Sequence, residues 1–100
     1  MSDHARIIER FFEDEENELR VEGVPISLLA ETYRTPFFVY SRGVMDAKLR
    51  MLRDVLPREF EVYYSVKANP NQQILKFFVS QGTGLEVASS GELHQALTCR

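Results

Sequence analysis

Apolar and polar residues along this chain follow a helical period in some stretches and a strand-like period in others. Ile7, Ile8, Phe11 and Phe12 fall at helical spacing, predicting a short amphipathic helix over residues 4–13. The acidic run Glu13-Asp14-Glu15-Glu16 follows. It reads as a solvated turn, with a site for a basic partner as the alternative. Leu19 to Val24 suits a short strand broken by Pro25, and Ser27 is a candidate N-cap for a short helix through Leu28, Leu29 and Tyr33. Thr35-Pro36-Phe37-Phe38-Val39-Tyr40 is rich in aromatic and β-branched residues and predicts a strand.

From there the periods alternate. Ser41 is a candidate cap for a helix over 42–56, where Met45, Leu49, Leu52 and Leu56 form one apolar stripe and Pro57 ends it. A strand over 60–66 comes next, then a turn at Lys67-Ala68-Asn69-Pro70-Asn71. A helix over 71–81 buries Ile74, Leu75, Phe78 and Val79 and stops at Gly82. Leu85 to Ala88 reads as a short strand. Ser89 and Glu92 have capping-box spacing for a last helix. Strand–helix alternation of this kind predicts an α/β fold with parallel strands.

That order places Lys67 at the C-terminal end of a strand, where α/β enzymes put their chemistry. An amine there can form a Schiff base with a carbonyl substrate or with pyridoxal phosphate. Strand side chains alternate faces. Phe60, Val62, Tyr64 and Val66 share an apolar face expected to pack under helices, leaving Glu61, Tyr63, Ser65 and Lys67 opposite. In the next strand Leu85 and Val87 are apolar and Glu86 opposes them. Lys67 and Glu86 are therefore expected to face one cavity. A carboxylate there favours the ammonium and burial favours the neutral amine, a balance that a nucleophilic lysine needs. A structural Lys–Glu ion pair is the competing reading.

Composition narrows the classes. The chain has 100 residues, 44% hydrophobic and 27% charged, ordinary soluble globular material sufficient for one small domain. Its net charge of -3, with no basic stripe, argues against nucleic acid as a partner. The single cysteine, Cys99, excludes an intrachain disulfide and suits a reducing compartment. No apolar run reaches transmembrane length, and no secretory signal pattern opens the chain, so a cytoplasmic protein without membrane contact is expected. Metal-ligand, P-loop and dinucleotide motifs are absent. His4 and His94 read as surface or satisfied core residues, and Cys99 as a small buried one. The last residues lie inside an amphipathic pattern with no stop signal, so more chain is expected to follow.

One segment is more specific. Tyr64-Ser65-Val66-Lys67-Ala68-Asn69-Pro70-Asn71, Ile74-Leu75, Gly82-Thr83-Gly84-Leu85-Glu86-Val87-Ala88-Ser89-Ser90-Gly91-Glu92-Leu93 and Ala96-Leu97 form a pattern. It resembles the N-terminal part of the alanine-racemase-like (fold type III) pyridoxal-phosphate decarboxylases, the group containing diaminopimelate and ornithine decarboxylases. Residues 35–40 also resemble the strand that precedes the barrel there.

The resemblance implies the opening strand–helix units of a pyridoxal-phosphate-binding (β/α)8 TIM barrel over 35–100, incomplete in this chain, after an N-terminal arm with short helices over 1–34. A whole barrel takes eight such units and about 250 residues. It also implies that Lys67 is catalytic and carries pyridoxal 5'-phosphate as a Schiff base, with Ser65 and Glu86 at the cofactor. Glu92 matches a family acid of the site region, although an N3 capping role serves it equally. The implied reaction is decarboxylation of a small-molecule amino acid, in a homodimer when full length. Relatives acting on diaminopimelate or ornithine usually have Asp where this chain has Glu86. The glutamate version resembles relatives acting on other substrates, including amino acids carried on an acyl-carrier protein. The alternatives are a non-catalytic cofactor- or partner-binding relative, and a truncated remnant.

Overall fold

The computed structural model describes residues 2–99, which divide between Leu52 and Arg53 into two units. In the first, helix α1 (Asp3–Phe11) starts at Ser2, whose hydroxyl accepts from the Ala5 amide at 3.2 Å. Strands β1 (Glu13–Glu15), β2 (Glu18–Val21) and β3 (Val24–Pro25) follow as an antiparallel meander. The acidic run is thus mostly strand, not turn. Only Glu16 remains in the turn, joined by Asn17. Their φ values of 56° and 60° suit a tight two-residue hairpin connection. Pairing sets Glu13 opposite Arg20, and Arg20 also meets Glu15 at 3.9 Å, so a cation offsets the like charges.

Helix α2 (Ile26–Tyr33) begins at Pro25, so Ser27 lies inside its first turn instead of capping it. The Ser27 amide donates to Glu18 Oε1 at 3.0 Å, a cap delivered from β2. Hydrogen bonds from Ser27 hold the Glu18 carboxyl below its ordinary range, with Arg20 adding a smaller push in the same direction. A carboxylate depressed in the folded state stabilises above its unfolded pKa. That contribution disappears as pH falls through the folded value.

Residues 35–40 form no strand. Phe38 is 93% exposed. The segment has strand-forming residues, but no described strand hydrogen-bonds to it, and a strand exists only in a ladder. Helix α3 (Arg42–Val55) follows the expected pattern. Ser41 Oγ accepts from the Val44 amide at 3.1 Å, and Glu22 Oε1 accepts from the Gly43 amide at 2.7 Å. Leu49 is the buried member of the apolar stripe.

The second unit carries two parallel strands, β4 (Tyr63–Ser65) and β5 (Gly84–Glu86), with Tyr63 opposite Gly84, Tyr64 opposite Leu85 and Ser65 opposite Glu86. A 3₁₀ turn (Val66–Ala68) and helix α4 (Gln72–Ser80) connect them, and helix α5 (Ser90–Thr98) follows. The predicted strand over 60–66 is shorter because β5 offers only three partners; one more bond, from the Gly84 amide to the Val62 carbonyl, extends the pairing. Phe60 is 62% exposed and does not pack under a helix.

Val79, expected to be buried, is 39% exposed, and Phe77 is buried in its place beside Ile74 and Leu75 on α4. Val66, Leu75 and Cys99 are buried together, with Tyr64, Leu85 and Val87 against them. Tyr64 stacks on Phe78 at 4.3 Å between ring centroids. Gly82 stops α4 at a φ of 76°, with its amide on the Val79 carbonyl and the Thr83 amide on the Phe78 carbonyl. That is the Schellman arrangement, which needs a left-handed residue and favours glycine.

Candidate active site

Ser65 and Glu86 are the last residues of two parallel strands and lie side by side in register. Tyr64 and Leu85 point to the core, so Ser65 and Glu86 share the opposite face. There the Ser65 hydroxyl donates to Glu86 Oε2 at 2.7 Å, a short charge-assisted bond. Lys67 follows on the 3₁₀ turn and is exposed. All three residues therefore occur at the carboxyl edge of the parallel pair, where ligands bind in α/β folds.

The geometry refines the expected Lys67–Glu86 relation. Lys67 is not a strand residue, because the chain turns into 3₁₀ geometry after Ser65. Among the described residues no ion pair joins it to Glu86, whose carboxylate is engaged by Ser65. The structural ion pair that competed with a chemical role is not formed.

The turn after Lys67 is held from several sides. Tyr64 Oη donates to the Asn69 carbonyl at 3.0 Å. The Asn71 amide donates to Asn69 Oδ1 at 3.0 Å, and Asn71 Oδ1 accepts from the Gln73 amide at 2.9 Å, capping α4. These supporting roles of Tyr64, Asn69 and Asn71 were not read from the sequence. The Asn-Pro-Asn run carried the signal, since asparagine side chains bond backbone groups two residues on. Asn71→Ala in the full-length protein is expected to cost about 1 kcal/mol. Hydrogen exchange should show earlier opening of the first turn of α4; unchanged protection there would contradict the cap.

On the same strand face Tyr63 Oη donates to Glu61 Oε2 at 2.9 Å, and this bond raises the Tyr63 pKa. The Tyr63 ring lies against Gly84, where any Cβ would collide with it. Glu92 has the capping role. Ser89 Oγ accepts from the Glu92 amide at 3.1 Å, and Glu92 Oε1 accepts from the Ala88 amide at 2.9 Å, one residue before the usual capping-box donor. Cys99 is buried and donates to the Ala96 carbonyl, as expected for a core thiol. His4 and His94 are exposed. Among the described residues no cluster of His, Cys, Asp and Glu is arranged to hold a metal, and no helix is long and apolar enough to cross a membrane.

An exposed lysine on the turn that follows a hydroxyl–carboxylate pair suits a group that presents an aldehyde and polar substituents. The model of the pyridoxal-dependent decarboxylase pyridoxal-binding domain matches residues 42–100. The chain belongs to the pyridoxal-dependent decarboxylases. Diaminopimelate decarboxylase of Pseudomonas fluorescens is 40% identical over 81 residues, covering 80% of this chain and 20% of that protein. An L-glutamyl-[BtrI acyl-carrier protein] decarboxylase of Niallia circulans is 36% identical over 75 residues, covering 75% of this chain and 18% of that protein.

Among solved structures, a protein of Aquifex aeolicus superposes with a TM-score of 0.84 at 31% identity, covering 95% of this chain and 24% of its own. Diaminopimelate decarboxylase of M. jannaschii in complex with L-lysine gives 0.75 at 27% identity, covering 88% and 22%. This decarboxylase-family chain thus spans about a fifth of the length of the curated relatives it matches. Its fold is an N-terminal part of the barrel architecture of these neighbours, and the family's cofactor is pyridoxal phosphate.

Proposed function

We propose that this chain is the lysine-bearing part of a pyridoxal-phosphate-dependent amino-acid decarboxylase, and that Lys67 holds the cofactor covalently. The observation that carries the reading is the exposed Lys67 amine just beyond the paired strand ends Ser65 and Glu86, within the segment matched to the pyridoxal-binding domain. The bound cofactor supplies an electron sink for the pair left behind when carbon dioxide departs. Lys67 would hold the cofactor through its side-chain amine, the only nucleophile among the three proposed site residues suited to an aldehyde. Ser65 and Glu86 supply a fixed hydroxyl and negative charge at the cofactor. The turn bonds of Tyr64, Asn69 and Asn71 limit the freedom of the backbone that bears Lys67.

The substrate is an amino acid of the diaminopimelate or ornithine kind, or one linked to a carrier protein as for the Niallia circulans relative. Glu86 in place of the usual aspartate favours testing both classes. Residues 1–34 serve as an arm before the barrel portion over 35–100, and the full-length protein works as a cytoplasmic homodimer. The 100-residue chain alone is inactive: two paired strands close no barrel, and their outer edges remain without partners among the described residues.

Borohydride reduction of the full-length protein loaded with pyridoxal phosphate is expected to leave a pyridoxyl label on Lys67, located by peptide mass spectrometry. A label on another lysine, or none, would overturn the assignment. Labelled protein that releases no carbon dioxide from either substrate class would instead mark a cofactor-binding relative without the activity.

A further inference from the structure

The Ser65–Glu86 bond has a second consequence for Lys67. Glu86 is paired in register with a residue only two positions before the lysine, and it ends a strand at the same edge. A glutamate has one more rotatable bond than an aspartate, so its carboxylate has more positions to choose from. Lys67 follows Ser65 by two residues at the same edge, so an ion pair with its ammonium is the arrangement that competes for this carboxylate. In the structure the carboxylate does not make one; it turns to Ser65 Oγ at 2.7 Å. Ser65 itself is half-buried on a paired strand, which fixes the direction from which its hydroxyl is offered.

We propose that Ser65 is a positioning residue for Lys67: its hydroxyl retains the Glu86 carboxylate at the strand ends and so keeps the Lys67 amine out of a locking ion pair. The role of the amine rests on the reading of Lys67 given above, but the effect on its reactivity belongs to the apoprotein and needs no cofactor. An ammonium paired with a carboxylate is held in its protonated, non-nucleophilic form. Removing the Ser65 hydroxyl releases Glu86 to make that pair. Serine and glutamate thus act together, the hydroxyl compensating for the longer acidic side chain.

The test is competitive acetylation of the full-length apoprotein with limiting acetic anhydride at one fixed pH, read by mass spectrometry as Lys67 labelling relative to exposed Lys76. Ser65→Ala is expected to lower the Lys67 ratio by about three- to tenfold. Ser65→Thr, which keeps a hydroxyl, should retain the wild-type ratio, and the double variant Ser65→Ala, Glu86→Gln should restore it. An unchanged ratio in Ser65→Ala would overturn the proposal. So would a loss that Glu86→Gln does not rescue, because a merely structural defect would persist in the double variant. Borohydride labelling of the wild-type holoprotein reports separately on whether Lys67 bears the cofactor, so failure of either idea is distinguishable.

Discussion

If Lys67 acts as proposed, Lys67→Ala in the full-length protein is expected to lower carbon dioxide release by roughly 10²- to 10⁴-fold, the scale on which loss of one positioned proton-transferring or nucleophilic group is felt. Lys67→Arg is expected to do the same, because a guanidinium keeps the charge but stays protonated and cannot act as the nucleophile. The two variants together separate charge from nucleophilicity. Both should fold normally, since Lys67 is exposed on a short turn and outside the buried cluster. Turnover is measured with diaminopimelate, ornithine and a carrier-linked amino acid, and folding by circular dichroism. Full activity in either variant would remove Lys67 from the chemistry.

The second large effect is on stability. Leu75 is 0% exposed and touches the heart of the second unit with Val66 and Cys99. Leu75→Ala is expected to cost about 2–5 kcal/mol through lost burial and the cavity left behind. That loss is comparable with the whole stability of a small domain. Urea unfolding of the full-length protein, followed by hydrogen exchange at β4 and α4 amides, reads it directly. Leu97→Ala, at a half-exposed site on α5, is the matched control and should cost much less. Equal losses at the two sites would show that the Val66–Leu75–Cys99 cluster does not organise this unit.

The helices were the legible part of the sequence. The Ser41 and Ser89 caps and the Gly82 stop are local signals met within their own elements, whereas the apolar stripes were met in part: Leu52 and Val79 are exposed, and Phe77 is buried in α4. Strands were less legible because a strand is defined by its neighbour. Residues 35–40 have the composition of a strand and lack a ladder, whereas acidic Glu13–Glu15 lacks the composition and has one, supplied by β2. Alternation put Ser65, Lys67 and Glu86 on one side of the strands and predicted Lys67 as the neighbour of Glu86; in the structure Ser65 is that neighbour and Lys67 has left the strand. The Ser65–Glu86 bond was not readable, because spacing alone cannot choose between serine and lysine as the partner of a flexible glutamate. That choice is made in three dimensions, where the Ser65 hydroxyl meets the Glu86 carboxylate at 2.7 Å and the chain leaves the strand before Lys67.

Tyr64 links two properties that are usually separable. One end of its ring system is stacked on Phe78 of α4, and its hydroxyl grips the Asn69 carbonyl in the segment that follows Lys67. The packing of the hydrophobic interior is thereby tied to the backbone that follows Lys67. A change at Phe78, with no polar atom and no contact with a ligand, would shift the phenol and loosen its grip on that backbone. In this unit, one side chain joins the interior packing to the backbone two residues after Lys67.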